Sequence, residues 1–195
     1  QGIGVRAKTD QVDACGLARF GAAKPLHDWQ PLPEEIALLD RLLKRQDEIK
    51  ETLAQEKNRL HALDAQNICN GPEIMSIKRS IEWLGKELEQ VQKDIAKILE
   101  GHDYLKKQAD QLQTIPGIGV GNRLFLLVLL SRWKLLTNGQ GTNKGITAYV
   151  GLDPVHYRSG TSIRKRPAIS CMGNIRLRSL LYMGALGAIT GNNHL

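Results

Sequence analysis

A 3-4 repeat of apolar residues through the middle of the chain constrains its fold more than any other feature. Positions 39, 42, 46, 49, 53, 56, 60 and 63 carry Leu39, Leu42, Ile49, Leu53, Leu60 and Leu63, with Gln46 and Glu56 as exceptions. Asn70-Gly71-Pro72 breaks the pattern. The register then resumes with Ile74, Ile77, Ile81, Leu84, Leu88, Val91, Ile95, Ile98, Leu105, Ala109 and Leu112, interrupted only by His102. Steps of three and four average 3.5 residues, so these side chains share one helical face. Two such helices joined by a short break predict a long antiparallel coiled-coil hairpin over residues 34–113. Gly101 is expected to open a short break within it, with Asp103 capping the restart. His102 reads as a tolerated polar seam residue rather than a ligand. A bare hairpin would expose much of its seam, so a partner is expected, most simply a second copy of the chain.

Prolines and charge divide the rest. Pro25, Pro31 and Pro33 mark a loop that closes a first segment, residues 1–33, because proline breaks helices. Residues 114–195 form the third segment and hold ten Lys/Arg against a lone acid, Asp153. Residues 1–113 are nearly balanced, with seventeen Lys/Arg against nineteen acids. Such a basic block points to a polyanionic partner, most simply nucleic acid. Cys15, Cys69 and Cys171 are far apart and in no CxxC arrangement, which suggests a reducing cytosol and neither a disulfide framework nor a zinc site. The longest apolar run, Leu124–Leu130, is too short to span a bilayer, and no signal peptide is visible. The chain begins at Gln1 and stops just after an apolar helical pattern, so it reads as a piece of something longer.

Three short stretches carry chemistry. In Lys8-Thr9-Asp10-Gln11-Val12-Asp13-Ala14, Asp10 and Asp13 are three apart at the expected start of a helix over about Thr9–Gly21. They therefore share a face, and hard carboxylate oxygens one turn apart suit Mg²⁺ whose other ligands include phosphates. Solvated acids, or a mere N-cap at Thr9 or Asp10, would look the same. Ile115-Pro116-Gly117-Ile118-Gly119-Val120-Gly121 lies between two helices and resembles a helix-hairpin-helix element. In such an element the amides around Gly117 and Gly119, and the start of the next helix near Asn122–Trp133, face a backbone phosphate. A dinucleotide fingerprint would have to follow a strand. Finally Tyr157-Arg158-Ser159-Gly160 precedes Arg164-Lys165-Arg166, placing a hydroxyl beside four cations. Ser162 and Ser170 are equally eligible on this basis. An apolar, helical stretch with Arg176 and Arg178 follows over Ile175–Ile189.

Taken in order, these pieces resemble the RuvC-like DEDD transposases of bacterial insertion sequences, the family that includes the Piv and MooV DNA invertases. The stretches that carry the resemblance are Lys8–Ala14, the Asp28-Trp29 loop, the long helical pair and Ile115–Gly119. Ala148–Pro154 leading into Tyr157–Gly160, then Ile169-Ser170 and Gly173-Asn174 to Leu181-Tyr182, complete the set. The resemblance implies a mostly α chain: the end of an RNase H-like (RuvC-like) α/β domain, the coiled-coil hairpin, and a C-terminal helical domain with the helix-hairpin-helix and the serine loop. It implies that Asp10 and Asp13 are the last two acids of a four-carboxylate Mg²⁺ site. The other two acids would belong to an upstream portion this sequence does not contain, leaving the piece inactive by itself.

By the same resemblance Ser159 is the nucleophile that forms a covalent phosphoserine bond to DNA, with Arg158, Arg164, Lys165 and Arg166 steadying the strand. An element-encoded guide RNA is a further partner of some members. One residue departs from the pattern: Cys171 stands where the family usually has Lys. Two other readings are kept open. A non-catalytic nucleic-acid-binding module would tolerate loss of Ser159 and Asp10, and a structural coiled-coil protein would bind no DNA.

Overall fold

The computed structural model describes residues 9–23, 29–66, 70–155, 158–159, 163–164, 168–170 and 172–191. Among these the protein is mostly helical, with seven helices and two small two-stranded ladders. The chain separates into two compact units, Gln1–Pro31 and Leu32–Leu195.

The first unit contains α1 (Asp10–Ala23). Thr9 Oγ1 accepts the Val12 amide at 3.3 Å, so Thr9 rather than Asp10 caps the helix. No described residue of α1 is buried, and Leu17 and Phe20 are among those exposed.

The second unit is built on α2 (Glu34–Ala65) and α3 (Pro72–Gly101), which pack against each other. Pro72 opens α3 at a first-turn position, where its missing N–H costs nothing. All eight positions of the first stripe are buried or half-buried, and so are the stripe positions of α3. The Tyr104 hydroxyl donates to the Glu35 carboxylate, 69 residues away, which shows that α2 and α3 run antiparallel. The break in the second stripe falls at His102, which is extended (φ −137°, ψ 86°) and separates α3 from α4 (Asp103–Gln113). Its Nδ1 lies 2.9 Å from the Ile98 carbonyl oxygen. Asp103 is thus the first residue of α4 and not its cap. His102 does not sit within a continuous helix but ends one.

α5 (Val120–Leu136) explains why the hairpin does not stand bare. This helix is apolar nearly all round, the pattern of a helix covered on several sides, and it packs on α2, α4 and α7 (Ile175–Gly191). Leu124, Leu127 and Val128 join Ile36, Leu39, Leu43, Leu84, Val91, Ile95, Leu105 and Ala109 in one core. Much of the seam near the base of the hairpin is therefore covered by the chain's own helices. Leu53, Leu60, Leu63, Ile77 and Ile81, toward the turn, are half-buried. No described helix is long and apolar enough to cross a membrane.

Candidate nucleic-acid interface and catalytic segment

α4 and α5 pack together across the glycine turn. The Ile118 amide donates to the Ile115 carbonyl at 3.0 Å, Pro116 takes the second turn position, and Gly117 the third with φ 84°. Only glycine adopts that conformation without strain, as in a type II turn. A Cβ on Gly117 would also collide with the Gly184 carbonyl of α7. Gly117 therefore has a packing reason of its own. Gly119 precedes the first turn of α5, is exposed, and would accept a Cβ without collision.

α6 (Asn143–Val150) follows, capped by Thr142 Oγ1, which accepts the Gly145 amide at 3.1 Å. Gly141 and Gly145 lie so close to the Trp133 ring that a Cβ on either would touch it, and Trp133 also meets Tyr149 with ring centroids 5.4 Å apart. α6 is thereby seated on the end of α5. Gly151 closes it in the left-handed conformation.

Beyond it, β1 (Pro154–Val155) pairs antiparallel with β4 (Ala168–Ile169), and β2 (Arg158–Ser159) with β3 (Ile163–Arg164). The register sets Ser159 opposite Ile163 and Arg158 opposite Arg164. Ser159 is thus the second residue of a two-residue strand. Lys165, Arg166, Ser162, Gly160 and Cys171 lie outside the described residues. Ser170 is placed: its hydroxyl donates to the Asp153 carboxylate, and its amide to the Asp153 carbonyl at 2.9 Å.

The basic block is partly neutralised by the rest of the chain, which composition did not reveal. Arg123 pairs with Asp110 of α4 at 2.9 Å, and Arg132 with Asp40 of α2 at 2.6 Å. Arg176 makes a two-pronged bond to Asp47 of α2, at 2.7 and 2.8 Å. Asp40, Asp47, Arg132 and Arg176 share a groove of about 550 Å³. Three of the ten cations are thus committed to acids of α2 and α4. Arg158, Arg164, Lys165 and Arg166 all belong to the serine hairpin or directly follow its strand β3, so the charge there is the densest in the segment.

Asp10 and Asp13 both fall in the exposed first turn of α1. Among the described residues no group of three or more His, Cys, Asp or Glu is disposed to hold a metal ion. The two carboxylates have the donor chemistry Mg²⁺ prefers, but two do not complete its shell.

Residues 109–195, spanning the glycine turn, the serine hairpin and α7, match the model of the Transposase IS116/IS110/IS902 family. Over 188 residues, 94% of this chain, the sequence is 32% identical to the pilin gene-inverting protein of Moraxella lacunata. The pilin gene-inverting protein of Moraxella bovis matches equally, at 32%. Residues 109–195 are thus similar to this transposase family, and nearly the whole chain is similar to the two inverting proteins. The chain spans about half the length of these curated relatives, 54% of each. The family match takes in both stretches that drew attention for phosphate chemistry, the glycine turn and the serine hairpin, while the relatives' match extends over most of the rest.

Proposed function

We propose that this chain is part of a DNA transposase or recombinase that cuts and rejoins strands through a phosphoserine intermediate. What supports this reading most is the family match over residues 109–195, which contains Ser159 and the four cations around it. Ser159 Oγ attacks a phosphodiester phosphorus. One P–O bond to the deoxyribose breaks as the Oγ–P bond forms, the serine proton passes to solvent, and the leaving oxygen becomes a hydroxyl. Attack by a hydroxyl of another strand end reverses these changes, so rejoining needs no external energy source. Arg158, Arg164, Lys165 and Arg166 neutralise the phosphate and the charge that develops on it.

Asp10 and Asp13 would hold Mg²⁺ together with acids supplied from an upstream RNase H-like portion, and α1 would be the closing helix of that domain. When bound, the ion would make the phosphorus more electrophilic. The segment over α4, the glycine turn and α5 would act as a helix-hairpin-helix, offering its amides near Gly119 to the DNA backbone. DNA is the principal partner, an element-encoded guide RNA a further one, and the α2–α3 coiled coil the contact between copies. The setting is the bacterial cytoplasm, at the nucleoid. The division into 1–33, 34–113 and 114–195 follows these three roles.

The test uses the complete protein with labelled DNA carrying element ends. After denaturation, label should remain on the protein, and Ser159→Ala should abolish it while DNA binding persists. An adduct that survives Ser159→Ala would overturn the assignment.

A further inference from the structure

Asp153 is the lone acid among ten cations in residues 114–195, yet its carboxylate is turned to a serine. It accepts the Ser170 hydroxyl, while the Ser170 amide donates to the Asp153 carbonyl at 2.9 Å. The Met172 amide approaches Ser170 Oγ at 3.4 Å. The register of the hairpin base pairs Pro154 with Ile169 and Val155 with Ala168, so Asp153 and Ser170 are the next cross-strand pair below it. Both are half-buried, whereas Pro154, Ala168 and Ile169 are exposed.

The same level is tied to the helices on both sides. Gly151 and Gly173 have φ of 79° and 110°, and a Cβ on either would run into backbone of the other segment, at Met172 and Tyr149. Arg178 donates from Nη1 to the Val150 carbonyl at 3.1 Å. Asn174 Oδ1 accepts the Arg176 amide at 2.8 Å and so caps α7.

We propose that Asp153 and Ser170 are a positioning pair: a clasp at the root of the serine hairpin that sets the direction in which Ser159 is presented. This rests on Ser159 being the nucleophile. Ladders of only two residue pairs are marginal by themselves. Ser159 is five residues beyond Pro154, so no more than about 17 Å from it even with the chain fully extended, and its orientation would be inherited from the root. An in-line attack is sensitive to such placement, a shift of about 1 Å costing up to about a hundredfold in rate.

The experiment follows the rate of covalent adduct formation in the complete protein, with DNA affinity measured alongside. Ser170→Ala and Asp153→Ala are expected to slow adduct formation about tenfold to a hundredfold, with affinity changed less than about twofold. Ser170→Thr keeps the hydroxyl and Asp153→Asn keeps an acceptor oxygen, so both should recover most of the rate. A wild-type rate in Ser170→Ala overturns the clasp. So does an Asp153→Asn variant as slow as Asp153→Ala, which would assign the role to the carboxylate's charge. Asp153→Asn remains decisive if the alanine variants fail to fold, since near-normal adduct formation supports the clasp and its loss overturns it. Ser159→Ala in the same assay separates the two levels. Adduct lost there but unchanged in Ser170→Ala removes only the clasp, whereas adduct surviving in Ser159→Ala removes the nucleophile assignment.

Discussion

The molecule contains two hairpins stabilised in opposite ways. In the helical one, α2 against α3, an apolar stripe repeats every turn, and Leu39, Leu43, Ile49, Leu84, Val91 and Ile95 bury themselves against one another and against α5. In the β-hairpin that bears Ser159, each ladder has two residue pairs and none of the four residues β1 and β4 contribute is buried. Among its described residues the close contacts gather at the root, around Gly151, Asp153, Ser170 and Gly173. One element spreads its stabilisation over many apolar contacts. The other concentrates it in a few backbone approaches and hydrogen bonds.

Breaking each hairpin at its own kind of contact sharpens that difference. Leu39 is 0% exposed at the centre of the helical core. Leu39→Ala should lower unfolding stability by about 2–5 kcal/mol, from lost burial and the cavity left behind, read as a shift in denaturant midpoint. Because the second unit shares this core, the whole transition should move. Gly151→Ala attacks the other hairpin, forcing an L side chain into a left-handed site against Met172 backbone. The expected cost is about 1–3 kcal/mol. It should appear as faster amide exchange and protease cleavage across residues 151–173 before any change in α2 or α3. Loss of both regions together would mean that the two hairpins are not separable.

The smallest effect is at the base of the helical hairpin. Burial, together with the bond to Glu35, pushes the Tyr104 phenol up to about 12. The Tyr104 hydrogen bond holds the Glu35 carboxyl below its ordinary value. A raised folded-state value favours the neutral phenol, so this contribution is intact below about pH 10, where an unfolded tyrosine ionises, and fades as pH approaches 12. The Glu35 contribution works at the other end, present above the usual glutamate value and lost as pH falls through its depressed one. Tyr104 is 43% exposed, so solvent weakens both. Tyr104→Phe should cost no more than about 1 kcal/mol and remove an ionisation near pH 12 from an absorbance titration.

The helical hairpin was legible because its information is local and periodic. An apolar residue every 3.5 positions dictates one buried face whatever that face meets, and Asn70-Gly71-Pro72 dictates where the chain turns. The break beside Gly101 and His102 was legible, but not that His102 rather than Asp103 would cap the restart, since several residues around a short break are eligible. Gly117 was legible as a turn residue, but its approach to Gly184, 67 positions on, was not. The pairing of Arg132 and Arg176 with Asp40 and Asp47 was also out of reach, because composition counts charges without saying which face one another. The lone acid in a basic block was a visible signal, and it marked the root of the serine hairpin.

By itself, then, the sequence determined the helices, their stripes, the turn residues and the uneven distribution of charge, all of which follow from neighbours a few positions apart. It also carried the family resemblance. Only the tertiary structure decided what covers the seam, which arginines are already neutralised and that Asp153 meets Ser170. Those depend on contacts between segments tens of residues apart, where hydrogen bonds and close backbone approach act over a few ångströms and leave no periodic trace along the chain.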